Sequence, residues 1–306
     1  MKKAIITGAS GFVGGALLAE LVKNGVEVIA LDIVKSNRII EHKNVTFLQF
    51  DLSDIKNLLN QIDTTDVEVF YHLAWRGSAG DARFDTKLQL ENAQLTVEAI
   101  QTAKKIGCKK VVCAGTIMEL ETISAAFKQG NRPGRGYIYG SGKLVAHTMA
   151  KSVAAHIGID LVWAEITNAY GEGELSPRFI NTTLRKIIHN EALQFTAATQ
   201  NYDFIHVIDV AKAFYLLGEK GKGFCEYLIG SSHARPLKEF IIEMRDVLAL
   251  ERELIFGDIP FTGVDLSLSD FSTEKIEQDT GFKASISFEE GIKRTMNWLR
   301  QQEGIE

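Results

Sequence analysis

Between a short apolar run, Lys3–Thr7, and a helical pattern, Phe12–Val22, residues 7–14 read Thr-Gly-Ala-Ser-Gly-Phe-Val-Gly. Three glycines so spaced at a strand-to-helix turn constrain the fold more than any other feature of the chain. Gly8 permits a tight turn, Gly11 allows close approach to the backbone, and Gly14 allows the helix to pack closely on the strand. The unpaired N–H groups that begin such a helix form an anion site, with a pyrophosphate as the fitting occupant. Ser10, Phe12 and Val13 complete that turn. Asp32 closes the next strand, Val26–Leu31, at the spacing from the glycines that lets a carboxylate grip the ribose hydroxyls of a dinucleotide.

The elements that follow keep the same alternation. Strands are expected at Val45–Gln49, Val67–Leu73, Val111–Ala114 and Leu161–Ile166, with long helices at about Asp85–Ile106 and Tyr139–His156. Gln129–Gly136 reads as a glycine-rich loop. Such β-α alternation calls for a parallel sheet covered by helices on both faces, an α/β, Rossmann-like doubly wound fold. Beyond Asn168 the pattern is less regular, with helices expected at Arg178–Ile188, Val210–Leu217, Leu237–Val247, Thr273–Asp279 and Phe288–Arg300 and short strands at Phe204–His206 and Tyr227–Ile229. The expected organisation is a dinucleotide-binding domain of residues 1–167 plus about 203–230. A smaller C-terminal α/β region, about 168–202 plus 231–306, would bind substrate in a cleft at the strand C-termini.

Composition removes several other classes. The 306 residues are 45% hydrophobic and 24% charged with only 4 prolines, as a folded globular chain requires. The net charge is −5, and the densest basic cluster, Lys104, Lys105, Lys109 and Lys110, reads as a helix end followed by a strand. Nucleic acid is therefore not an expected partner. Apolar stretches fall well short of the roughly 18 residues of a membrane span, so no membrane partner is expected. The 3 cysteines, Cys108, Cys113 and Cys225, have neither disulfide-framework nor metal-ligand spacing. The apolar run after Met1-Lys2-Lys3 is broken by glycine and lacks a cleavage site, so a cytoplasmic location is expected.

Residues 139–143 read Tyr-Gly-Ser-Gly-Lys. Positions i and i+4 of a helix share a face, so Tyr139 and Lys143 can address one site. An ammonium stabilises a phenolate, and Tyr139 could then take or give a hydroxyl proton while hydride moves between a sugar carbon and a nicotinamide. Thr116 follows strand Val111–Ala114 and would hold the substrate oxygen against Tyr139 at the cleft.

With these residues in view, the chain resembles the extended short-chain dehydrogenases/reductases of the NAD-dependent epimerase/dehydratase family, most of which act on nucleotide sugars. The resemblance covers Thr7–Gly14 with Asp32, then Asp51-Leu52, His72-Leu73-Ala74 and Asn92, and continues through Thr116, Tyr139, Lys143, Asn168 and the segment 203–211. It implies that Asp51 and Leu52 contact adenine, that Leu73 and Ala74 line the pyrophosphate, and that Asn92 also belongs to the cofactor site. Asp32 disfavours a 2′-phosphate by like-charge repulsion, so NAD is the expected cofactor, with NADP possible because Lys35 and Arg38 lie near it, and the resemblance further implies a homodimer formed through the two long helices.

Departures from the family pattern narrow the chemistry. Ile117 and Met118 replace the acidic pair of the 4,6-dehydratases, so dehydration is not expected. Leu120-Glu121 stands where many epimerases have Tyr-Gly, and Glu119 beside it reads as a structural partner rather than a sugar contact. Tyr202 and Glu165 replace arginines common in the family, so recognition of a diphosphate must come from elsewhere. Arg178 and Arg185, near one helical face, are candidates, as are Trp75-Arg76-Gly77 after the fourth strand and Arg132 and Arg135 in the glycine-rich loop. His206 is either a substrate contact or a packed strand end. The substrate-binding set is thus Trp75, Thr116, Asn168 and Arg178, with a nucleotide sugar as the expected ligand.

The first functional reading is an NAD-dependent epimerase acting by hydride transfer at C4 of a nucleotide sugar. Its alternative is a 4-keto reductase using NAD(P)H, which needs the same three residues. A non-catalytic dinucleotide-binding sensor is the remote third reading, disfavoured because Thr116, Tyr139 and Lys143 are all present.

Overall fold

The computed structural model describes residues 1–62, 66–248, 251 and 253–305. Its centre is a sheet of seven parallel strands. In chain order these are β1 (Lys3–Thr7), β2 (Glu27–Asp32), β3 (Val45–Gln49), β4 (Val69–His72), β5 (Lys110–Thr116), β6 (Asp160–Ile166) and the strand Cys225–Ile229. Across the sheet they run from Cys225–Ile229 through β6, β5, β4, β1 and β2 to β3. The direction of winding reverses between β1 and β4, and a crevice opens beyond their C-terminal ends.

Strand residues alternate between two buried faces, which explains the near-continuous apolar runs. Ile6, Tyr71 and Val112 face a core closed by α1 (Phe12–Lys23) and by helix Val207–Lys220 through Leu17, Leu18, Leu21, Phe214 and Leu217. Their sequence neighbours Ile5, Phe70 and Val111 face the opposite core. There α2 (Thr86–Ile106) and a later helix, Ile138–Ile157, present Ala99, Ala103, Ala146, Ala150 and Ala154. Alanines at these positions let the two long helices lie close to the sheet and to each other.

A third core is formed by Tyr170, Leu184, Phe204, Phe240, Ile292 and Met296, beside the C-terminal edge of the sheet. Residues 231–306 do not all belong to it, because Ile276 and Phe282 pack into the core beneath α1. Among the elements not anticipated from the sequence is α3 (Met118–Ala126), which the chain forms after β5 before it reaches the 129–136 loop. The helix Ile138–Ile157 is therefore α4. A short strand β7 (Asn168–Tyr170) pairs in parallel with Phe204–His206 and draws the second region against the crevice. No helix among the described residues is long and apolar enough to cross a membrane.

Candidate active site

A cavity of about 410 Å³ fills the crevice at the reversal point. Gly8 begins it with a left-handed φ of +75°, and a Cβ there would come within 2.8 Å of the Ala74 backbone nitrogen. A Cβ on Gly14 would overlap the Gly8 carbonyl oxygen. Both glycines are therefore required by contacts of the turn itself. Gly11, Phe12 and Val13 line the cavity beside them. Asp32 stands at the far end, its two carboxylate oxygens accepting the Ser10 and Ile33 backbone N–H groups at 2.9 and 2.8 Å.

Ser10 itself does not line the cavity. Its hydroxyl donates to the Val34 carbonyl at 2.5 Å, and its own carbonyl accepts a hydrogen bond from Arg38 at 3.1 Å. Arg38 also donates to the Gly173 carbonyl and lies outside the cavity lining.

Asp51, Leu52, Leu73, Ala74 and Asn92 all reach the cavity. Asp51 caps the next turn by accepting the Ser53 N–H at 2.8 Å, and that bond lowers its pKa. Asn92 clamps the loop after β4, accepting the Arg76 N–H at 3.1 Å and donating to the Arg76 carbonyl at 2.7 Å. Buried His72 joins Thr7 and Thr96 at 2.9 and 3.2 Å, and burial pushes its pKa down to about 3, which keeps the imidazole neutral. A groove that runs from carboxylates through a glycine turn to a lysine and a tyrosine fits an extended dinucleotide.

At the inner end of this groove, Tyr139 and Lys143 project from one face of α4. The Lys143 ammonium donates to the Ala114 carbonyl at 2.7 Å and lies 3.8 Å from the centroid of the Trp75 ring. Burial pushes its pKa down to about 8. Burial also raises the Tyr139 phenol above its ordinary value, while Arg178, Arg83 and the adjoining Thr116 side chain pull the other way. Tyr139 borders a second cavity of about 280 Å³, which Thr116, Asn168 and Arg178 also line. The three residues Thr116, Tyr139 and Lys143 therefore meet where a dinucleotide groove adjoins a smaller polar pocket.

Two residues of that pocket were not anticipated as site residues: Arg83 carried no signal in the sequence, and Glu121 stood out only as a departure from the epimerase loop. Arg83, from the short turn Asp81–Phe84, lies with its guanidinium 4.7 Å from the Tyr139 ring centroid. Glu121, from α3, is pushed up to about 7 by burial, against the pull of Arg83. Tyr202 lines the same pocket in the place of a family arginine.

Other candidates separate. Arg178 begins α5 (Phe179–Ile188), borders both cavities and approaches Glu174 at 3.6 Å. Arg185 does not join it, because its guanidinium pairs with Glu303 from the C-terminal helix. Helical spacing alone put the two arginines on neighbouring faces, but a long-range ion pair holds Arg185 away. Arg135 stacks on Phe84 at 4.3 Å and, like Arg132, lines neither cavity. His206 packs as a strand end, with Nε2 2.8 Å from the Glu172 carboxylate. Trp75 and Arg76 line the larger cavity.

Glu119 is a buried structural carboxylate. One oxygen accepts the Thr116 N–H at 3.0 Å and the Trp163 indole N–H at 3.1 Å. The other meets His147 Nδ1 at 3.0 Å, and His147 stacks on Trp163 with centroids 4.3 Å apart. Glu165 completes the group, and burial followed by Glu119 and Glu226 pushes its pKa up to about 8.

The chain is similar to known proteins over nearly its whole length. A sequence profile of the NAD dependent epimerase/dehydratase family matches residues 4–230. A UDP-glucuronate 4-epimerase of Thermodesulfobacterium geofontis is 24% identical, the match covering 97% of this chain and 96% of that protein. A dTDP-4-dehydro-6-deoxyglucose reductase of Escherichia coli is 22% identical over 97% of each chain. The crystal structure of a UDP-glucuronic acid 4-epimerase from Bacillus cereus, with UDP-glucuronic acid and NAD, superposes with a TM-score of 0.79 at 20% identity. It covers 98% of this chain and 99% of that one.

Proposed function

Because the chain belongs to the NAD dependent epimerase/dehydratase family, we propose that it is an oxidoreductase acting by hydride transfer at C4 of a nucleotide sugar, and that it works as an epimerase. The observation that carries this reading is the meeting of Thr116, Tyr139 and Lys143 where the two cavities adjoin. Residues 1–167 and 203–230 would serve the cofactor, and residues 168–202 and 231–306 most of the substrate.

NAD, when bound, supplies a reversible hydride acceptor. The protein's part is positioning and proton transfer. Thr116 would hold the C4 oxygen against the Tyr139 hydroxyl, and the Tyr139 phenolate would accept the C4 hydroxyl proton as the carbon is oxidised. Lys143 would stabilise that phenolate through its positive charge. Returning the proton from Tyr139 to the C4 oxygen completes the cycle. Access of hydride to the opposite face then requires that the 4-keto sugar turn within the pocket.

NAD rather than NADP is supported by Asp32, whose charge repels a 2′-phosphate, and by Arg38, whose guanidinium is engaged by the Ser10 and Gly173 carbonyls. The 4-keto reductase is the second reading, and Glu121 favours it by replacing part of the usual epimerase loop with an ionisable group in the pocket. Denaturing the purified protein and identifying released molecules by mass spectrometry tests the choice. Stoichiometric NAD is expected. Protein without cofactor that binds NADH or NADPH reversibly would transfer the reading to a reductase.

A homodimer through α2 and α4 is also proposed. Leu90 on α2 is 57% exposed and Met149 on α4 is 43% exposed, an apolar face that a second copy would cover. Sedimentation equilibrium that finds only monomer would remove this proposal.

A further inference from the structure

Arg83 has no role in the proton and hydride chemistry, yet it sits beside it. Its guanidinium lies 4.7 Å from the Tyr139 ring centroid, in the pocket that Thr116 and Asn168 line. Its Nε is buried and has no hydrogen-bond partner, and among the described residues no carboxylate forms an ion pair with it. A guanidinium cannot shed its proton, so partial burial without a counter-ion is unfavourable. Arg178 lies on the same pocket and adds like charge. Glu121 is the acidic side chain of this pocket, and burial holds its carboxyl largely protonated below about 7. The pocket is therefore short of negative charge next to the reacting position.

Position selects the missing anion. With the Tyr139 hydroxyl at the C4 oxygen, the groups nearest its ring are those on carbons adjoining C4. The diphosphate hangs from C1, across the sugar ring. We infer that Arg83 recognises a carboxylate on C5, so that the substrate is a nucleotide-linked hexuronic acid. This rests on the C4 reading above. A neutral hexose would bury the same cation unpaired, so the site selects against it.

Calorimetric binding to the holoenzyme tests the inference with two matched pairs, UDP-glucuronic acid with UDP-glucose and GDP-mannuronic acid with GDP-mannose. In at least one pair the uronate is expected to bind about 10- to 100-fold more tightly than the hexose, the range of a charge-assisted hydrogen bond. Arg83→Gln should bring the two members within about 3-fold of each other, and Arg83→Lys should keep part of the difference. Thermal melts identify a variant that fails to fold, in which case Arg83→Lys and the salt dependence of the wild-type preference carry the comparison.

Equal binding of both members in wild type, or a uronate preference that survives Arg83→Gln, overturns the inference. Equal loss for both members on Arg83→Gln assigns the arginine to the diphosphate and overturns it too. In each of these cases nucleotide sugars still bind, and the C4 reading stands. Failure of all four ligands to bind removes both.

Discussion

Glu119 accepts the backbone N–H of Thr116 at 3.0 Å from within α3. The bond ties the end of the fifth strand to the helix that follows it. Through His147 the same carboxylate reaches α4, one turn beyond Lys143. The three side chains assigned to chemistry are thus braced from behind by one buried acid, and each partner of that acid is an N–H group that burial removes from water.

Replacing Glu119 should reveal that bracing. Glu119→Leu leaves the Thr116 and Trp163 N–H groups buried without acceptors, and about 2–4 kcal/mol of stability should be lost. Glu119→Gln keeps one acceptor oxygen and should lose less. Urea denaturation gives both values, and equal stability of Glu119→Leu and wild type would deny the carboxylate a structural role.

Tyr139→Phe removes one oxygen at the junction of the cavities. Turnover should fall by about 10²- to 10⁴-fold, the usual contribution of a positioned acid–base group. Retained cofactor and an unchanged melting temperature should accompany that loss. A variant that keeps its activity would show that the proton passes elsewhere.

Stability should vary with pH in a particular sense. Burial raises Glu165 from its ordinary 4.5 to about 8. Between those values the folded chain holds a proton that the unfolded chain has released, so stability falls as pH rises through the window. Lys143 acts oppositely. Its pKa is lowered from 10.5 to about 8, and over that window the unfolded chain binds more protons, so stability rises with pH. Both effects leave a shallow minimum near about pH 8. Denaturant midpoints should show that Glu165→Gln, which keeps the neutral shape, flattens the lower limb. A limb unchanged by the substitution would mean that Glu165 is ionised when folded.

Gly14→Ala places a methyl group on the Gly8 carbonyl oxygen. The turn must open, so cofactor should be lost from the purified protein and the melting temperature should fall. A variant that retains stoichiometric cofactor would show that the turn can yield.

Local rules account for what was legible in advance. Near-continuous apolar runs marked the central strands β1, β2, β4, β5 and β6, because a parallel strand covered on both faces is largely apolar. The glycine turn and the Tyr139–Lys143 pair were visible because their partners lie within one turn of chain, where backbone geometry alone fixes proximity. Helix α3 was missed because Glu119 and Thr122, both buried, interrupt an apolar face that would otherwise have declared it.

Tertiary structure decided the rest. Arg83 comes to Tyr139 from a short turn with no periodic pattern. Trp163 and His147 come to Glu119 from β6 and α4. Arg185, promising by helical spacing, is held by Glu303 from the opposite end of the chain. The sequence by itself determined the fold class and the placing of Tyr139 and Lys143 on one helical face, which depend on short repeats of backbone geometry. Which charges are paired and which are left to meet a ligand depends on contacts between residues far apart in the chain, and only packing brings those together.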